Sequence, residues 1–198
     1  MRVVGLILAG GRGRRLGGVD KALIRLNGET LLARVAARLG PQVAALGLSA
    51  NGPGRTYAAV GLPVLPDAPP GDRGPLAGVL AGLDWAADGG AEALVTAAVD
   101  TPFLPPDLVA RLLDSGAPLA VAESGGRRHP TAALWPVSLR AELRAALDRG
   151  VRRLGGFAEA QGAVAVGFAP GADGIDPFFN INTPEDLARA EASLGAAG

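Results

Sequence analysis

Short aliphatic runs alternate along this chain with longer amphipathic segments rich in Ala, Leu and Arg. Parallel strands need crossover connections long enough to hold a helix, so this alternation specifies an α/β fold with a mostly parallel sheet. Strands are predicted at about 3–9, 43–49, 62–66, 92–99, 118–123, 130–135 and 163–168, and helices at about 30–39, 75–87, 106–114, 138–148 and 184–194. Several of the apolar runs do not alternate with polar residues, as expected of strands buried on both faces. The last helix carries a start signal: Thr183 as N-cap, Pro184 in the first turn and Asp186 three residues after the cap. A length of 198 residues fits a single domain over 1–198, and the Gly/Pro-rich stretches 50–54, 66–78 and 169–177 read as connections within it.

Composition narrows the partners. Basic and acidic residues number 19 each, so the chain lacks the net positive charge by which nucleic-acid binders neutralise phosphates. No apolar run approaches the ~18 residues of a membrane span, and the N-terminal Val3–Leu8 run reads as a strand because no signal-peptidase site follows it. With no cysteine, disulfides, thiolate metal sites and a cysteine nucleophile are excluded, and a cytoplasmic location is expected. Among the 19 basic residues there is one lysine, Lys21. Lysine is a compact point charge where arginine is a wide planar fork, so a narrow phosphate site can require it.

Lys21 ends a glycine-rich loop after the first strand, in which Gly10, Gly11, Gly13, Gly17 and Gly18 are interleaved with Arg12, Arg14 and Arg15. Glycines let backbone N–H groups turn toward phosphate oxygens while the cations neutralise charge. A dinucleotide fingerprint from Gly11 fails at Leu16, and a P-loop from Gly13 to Gly18 fails at Val19. In open α/β sheets ligands bind beyond the carboxyl ends of the strands. Ser49–Asn51, Asp67 and Asp100 are predicted there, after the second, third and fourth strands.

The string Leu8-Ala9-Gly10-Gly11-x-x-x-Arg15-Leu16-Gly17-Gly18-x-Asp20-Lys21 resembles the signature of molybdenum cofactor guanylyltransferases of the MobA family, in which methionine usually replaces Leu16. Later blocks extend the resemblance over nearly the whole chain: Leu65-Pro66-Asp67, Gly74-Pro75-Leu76-Ala77-Gly78, Asp100-Thr101-Pro102-Phe103, His129-Pro130 and Phe179-Asn180-Ile181-Asn182-Thr183-Pro184-Glu185-Asp186-Leu187. The resemblance implies a Rossmann-like three-layer α/β/α domain that transfers GMP from GTP to the terminal phosphate of molybdopterin-bound molybdenum cofactor and releases pyrophosphate. It implies GTP and molybdopterin as substrates and transient contact with molybdoenzymes or cofactor-synthesis proteins, while the charge balance and the lack of a long apolar run lead us to expect no nucleic-acid or membrane partner.

Carried over residue by residue, Lys21 would lie over the phosphates and Arg15 near the leaving pyrophosphate, where negative charge grows in the transition state. Asp100 would hold Mg²⁺, or Mn²⁺ in its place. Asn182 reads either as a second oxygen ligand or as an Asx turn into the last helix. Asp67 would contact the nucleotide, unless it serves only a turn. Ser49 stands where the family often has asparagine near the base, with Asn51 two residues on, and the main chain of Leu8, Ala9 and Gly10 would meet the base edge. His129-Pro130 would line the pterin side or serve as a structural strand entry. Three competing readings remain at this stage: a cytidylyltransferase for the same cofactor, a sugar-phosphate nucleotidyltransferase, and a nucleotide-binding chaperone that delivers cofactor without catalysis.

Overall fold

The computed structural model describes residues 1–9, 12–13, 19–51, 57, 60–67, 74–171 and 174–196. In chain order the elements are β1 (Val3–Leu8), β2 (Arg12–Gly13), β3 (Val19–Asp20), β4 (Arg25–Leu26), β5 (Glu29–Thr30), α1 (Leu31–Leu39), β6 (Leu46–Ser49), β7 (Val64–Leu65), α2 (Pro75–Asp88), β8 (Ala93–Ala98), α3 (Leu108–Asp114), β9 (Ala120–Ser124), β10 (Arg127–Pro136), α4 (Arg140–Asp148), α5 (Leu154–Ala160), β11 (Val164–Gly167) and α6 (Pro184–Ala196).

Seven strands form one sheet in the order β11-β9-β10-β8-β1-β6-β7. All its pairings are parallel except those of β10, which runs antiparallel to both β8 and β9. The exception is local chemistry. Gly125 and Gly126 both have positive φ, 54° and 75°, which suits the two-residue turn whose twist matches a hairpin, so β9 returns on itself directly as β10. The pairing of β10 with β9 is then interrupted between His129 and Ala133. Pro130, which has no N–H to give a ladder, falls in that interruption.

The pleat sends successive side chains to opposite faces, and the core divides accordingly. Ile7, Val95 and Leu48 pack with Val35 and Leu39 of α1 and Leu112 of α3. Leu6, Leu8 and Leu94 pack on the other face with Leu80 and Leu83 of α2, Leu147 of α4 and Phe157 of α5. Helices therefore cover both faces, giving the expected three layers. A smaller cluster of Leu26, Leu31, Phe103, Ile181 and Ala190 joins the β4–β5 hairpin and α6 to the end of the domain that holds Asp100. Among the described residues no helix is long and apolar enough to cross a membrane.

Four departures from the sequence expectations have physical causes. The β2–β3 and β4–β5 hairpins were unexpected because two-residue strands carry no periodic signal. Helix α5 was missed because Gly155 and Gly156 lower helix propensity by about 1 kcal/mol each relative to alanine. Burial of Leu154, Phe157 and Ala158 offsets that, with Phe157 stacked 6.4 Å from Trp135. Strand β10 begins at Arg127, not 130, because the glycine turn pairs its first residues at once. Strand β6 begins at Leu46, not 43, after a short 3₁₀ turn over Gly40–Gln42.

Leu6 is fully buried between the sheet and α2. Replacing it with alanine is expected to cost about 2–5 kcal/mol, through lost burial and the cavity left behind. Urea denaturation would register this as a lowered midpoint with little change in slope.

Candidate active site

The carboxyl ends of β1, β6, β7 and β8 lie side by side at the centre and one edge of the sheet. Main-chain bonds knit them beyond the last ladder pairs: the Ala9 amide donates to the Ser49 carbonyl at 2.9 Å, and the Val99 amide to the Leu8 carbonyl at 3.1 Å. The amide of Ala9 is thus spent within the sheet. Gly10, Gly11 and Arg15 of the glycine-rich loop lie outside the described residues.

Asp100 follows β8 by two residues, as the sequence pattern predicts. Its position is fixed from both sides, by Thr101 Oγ donating to the Ala98 carbonyl at 2.8 Å and by the Ile181 amide donating to the Asp100 carbonyl at 2.9 Å. Lys21 reaches it from a 3₁₀ turn over Lys21–Leu23 that Asp20 caps, its carboxylate accepting from the Ala22 amide at 3.0 Å. The Tyr57 hydroxyl donates to the other Asp20 oxygen. Tyr57 is buried, and burial first, then its bond to Asp20, pushes its phenol above the ordinary tyrosine range, so it stays a donor at any physiological pH.

The Lys21 ammonium stands 2.9 Å from Asp100 Oδ2 and also donates to Asn182 Oδ1. The side chains of Lys21 and Asp100 are only 16% and 18% exposed, so the pair is screened less than a surface ion pair. Three sequence candidates separated by up to 161 positions therefore converge on one point. Asn182 is aimed there by the start of α6: its amide and that of Thr183 each donate to Asp186 Oδ2 at 3.0 Å, while the Asp186 amide donates to Thr183 Oγ at 3.2 Å. This is the reciprocal box expected from Thr183 and Asp186, and it leaves the Asn182 side chain to serve Lys21. The Asn182 amide foremost, with Thr183 and Arg189 adding, holds the Asp186 carboxyl below the ordinary range against an opposing contribution from burial.

A second cluster forms beyond β6 and β7. Asn51 clasps Asp67 twice, donating through Nδ2 to Oδ2 and accepting the Asp67 amide on Oδ1 at 3.1 Å. Ser49, 2% exposed, donates to Asp67 Oδ1 at 3.4 Å. Its hydroxyl abuts Gly78 of α2, where a Cβ would overlap it. The glycine is thus what lets the helix approach the end of β6. Sequence reasoning singled out Ser49, Asn51 and Asp67 separately; it missed that they form one unit, and it missed Tyr57 and Asp20 as the support of Lys21. The cue for Asp20 was its adjacency to the only lysine.

Oxygen donors at this point suit a hard cation. A carboxylate and a carboxamide already meet around one ammonium, and Mg²⁺ commonly takes one or two protein oxygens, filling its shell with phosphate and water. Among the described residues no group of three His, Cys, Asp or Glu side chains could hold a metal alone.

The sequence model of the MobA-like NTP transferase domain matches residues 5–163. The molybdenum cofactor guanylyltransferase of Cereibacter sphaeroides is 55% identical over 195 residues, covering 98% of each chain. That of Mesorhizobium japonicum is 51% identical over 199 residues, covering 97% of this chain and 96% of the relative. Among solved structures, molybdopterin-guanine dinucleotide biosynthesis protein A from Archaeoglobus fulgidus superposes with a TM-score of 0.77 at 25% identity, covering 98% of this chain and 99% of the other.

Asn51→Ala removes both clasps on Asp67. The Asp67 amide is expected to exchange with solvent at least about tenfold faster, a loss of ~1.4 kcal/mol of protection at that site. Amides in β1 and β8 should keep their wild-type rates in the same hydrogen-exchange experiment.

Proposed function

Because the chain belongs to the MobA-like NTP transferase family, we propose that this nucleotidyltransferase moves GMP from GTP to the terminal phosphate of molybdopterin-bound molybdenum cofactor, giving molybdopterin guanine dinucleotide and pyrophosphate. The observation that carries the proposal is the convergence of Lys21, Asp100 and Asn182 beyond the carboxyl end of β8. Cation and carboxylate are both concentrated where an open α/β sheet receives its ligand.

In this reaction an oxygen of the acceptor phosphate attacks the α-phosphorus of GTP, the bond from that phosphorus to the bridging oxygen of the β-phosphate breaks, and pyrophosphate departs with the electron pair. The nucleophile is already an anion, so the chain needs to supply little beyond alignment and charge stabilisation. Lys21, released from Asp100 and Asn182, would bind the phosphates. Arg15 is assigned to the leaving pyrophosphate. Mg²⁺, with Mn²⁺ as substitute, would be held by Asp100 with Asn182 as second oxygen, and would supply neutralising charge where the phosphates crowd. Asp67 would accept from the guanine N–H groups or the ribose hydroxyls. Ser49 and Asn51 would act on the nucleotide through their grip on Asp67, and the main chain of Leu8, Ala9 and Gly10 would meet the base edge. We assign the reaction to the cytoplasm, with transient contact to molybdoenzymes or cofactor-synthesis proteins as the route of product delivery.

The guanylyl assignment predicts that, with molybdopterin as acceptor, GTP supports pyrophosphate release at least about tenfold better than CTP, corresponding to ~1.4 kcal/mol of discrimination. CTP as the better substrate would overturn it in favour of a cytidylyltransferase. Asp100→Ala should lower turnover by about 100-fold or more, in line with the loss of a charge-stabilising group, while the cooperative unfolding transition persists. Unchanged pyrophosphate release in that variant would remove Asp100 from the catalytic machinery, and GTP binding without pyrophosphate release by wild type would favour a binding protein without catalysis.

A further inference from the structure

On the other side of Asp100 from the Asp67 cluster, a chain of polar groups, Ser124 and His129 buried and Asp176 half-buried, occupies β9, β10 and the segment before α6. Ser124, the last residue of β9, donates its hydroxyl hydrogen to the Asp176 carboxylate, 2.8 and 2.9 Å from the two oxygens. Asp176 Oδ1 also accepts the Phe178 amide at 2.8 Å. The Ser124 oxygen lies 2.8 Å from His129 Nε2. A hydroxyl has one hydrogen, and an ionised carboxylate can only accept it. The hydrogen between Ser124 and His129 therefore belongs to Nε2, and this fixes the imidazole with its lone pair on Nδ1.

Nδ1 has no hydrogen-bond partner among the described residues. No fully buried side-chain nitrogen or oxygen among them is left unpartnered, so Nδ1 keeps some exposed surface although His129 as a whole is only 9% exposed. One ring face is covered by Phe178, whose ring centroid stacks 4.7 Å away. The sheet order places Asp67 and β7 on one side of β8 and places β10 and β9 on the other. With the nucleoside bound toward Asp67, the second substrate must approach over β10.

We propose that Asp176, Ser124 and His129 form a positioning relay whose output is the His129 Nδ1 lone pair, which accepts a hydrogen bond from an N–H group on the heterocycle of the acceptor substrate. The proposal rests on the transferase reading and names the residue that distinguishes the two ends of the acceptor. A lone pair attracts an N–H and repels phosphate oxygen, so His129 selects the ring of the acceptor and leaves its phosphate to the Lys21 side. The charged groups around the imidazole are Asp176 from the segment before α6, Glu123 from β9 and Arg127 from β10. Burial first, with Arg127 adding and with Asp176 and Glu123 opposing, draws the pKa of His129 below the ordinary 6.5. The lone pair is consequently present at neutral pH and is lost as pH falls through that lowered value.

Two substitutions separate the relay from its output. In His129→Asn, Oδ1 can superpose on the former Nδ1 and accept, but nothing reaches Ser124. In His129→Gln, the longer amide can reach Ser124, but no acceptor remains at the Nδ1 position. Direct binding of molybdopterin, followed by isothermal calorimetry between pH 5 and 8, should show the Gln variant weakened about tenfold, the loss of one hydrogen bond to a partner left unpaired. The Asn variant should bind within about threefold of wild type at neutral pH, a difference below the worth of one hydrogen bond. Wild type should lose affinity in acid relative to the Asn variant, and this comparison cancels the titration of the acceptor's own phosphate. GTP affinity should be equal in all three proteins. Equal molybdopterin binding by all three, parallel pH profiles, or no molybdopterin binding by wild type would overturn the relay. Pyrophosphate release by wild type from GTP and molybdopterin judges the transferase reading separately.

Discussion

The ion pair between Lys21 and Asp100, completed by the Asn182 carboxamide, is the contact around which the functional end of this protein is organised. It joins three parts of the chain that share no secondary structure: the turn after the glycine-rich loop, the end of the central strand β8, and the entry to α6. A charged pair at this depth does not stabilise a fold cheaply, because desolvation offsets much of the attraction. On the transferase reading, its place at a strand terminus holds charge ready for the phosphates. Two oxygens that fit one ammonium also fit one divalent cation, and the two cations cannot share the point. On the transferase reading, Lys21 would move onto phosphate when a metal-bound nucleotide arrives, and binding would exchange one set of charge contacts for another without leaving a carboxylate unpaired.

The supporting contacts are aimed at the same point. Tyr57 and Asp20 hold the turn that presents Lys21, the Thr183–Asp186 box orients Asn182, and the Ile181 amide fixes the Asp100 carbonyl. Each is a local backbone or capping interaction of modest net value, yet together they remove the freedom that would blur the geometry. To either side, the sheet presents a further polar unit. The Ser49–Asn51–Asp67 unit presents carboxylate oxygens beyond β6 and β7, while the Asp176–Ser124–His129 chain presents an imidazole beyond β9 and β10.

Much of this was legible in the sequence, for physical reasons that differ by element. Buried parallel strands leave uninterrupted aliphatic runs, so Leu94–Val99 located β8 and therefore Asp100. Lys21 stands out in the sequence as the one lysine among 19 basic residues. Capping chemistry placed the start of α6. What sequence could not supply was contact between distant residues: that Asn182 would turn its side chain to Lys21, that Ser49 would prop Asp67, or that Ser124 would pair with Asp176 across 52 positions. Helix α5 was invisible because two glycines erased its propensity and tertiary burial restored it. The His129-Pro130 block was legible as lining the pterin side or as a strand entry, but the hold of Ser124 and Asp176 on the imidazole was not.

Because Lys21 is the only lysine, protein labelled with ¹⁵N-lysine gives a single side-chain ammonium signal, which reports directly on the central contact. The account predicts that this signal is protected from exchange in the free protein, loses that protection in Asp100→Asn, and shifts when GTP and Mg²⁺ are added together. A freely exchanging ammonium whose signal is the same with and without Asp100, and unmoved by GTP and Mg²⁺, would contradict it.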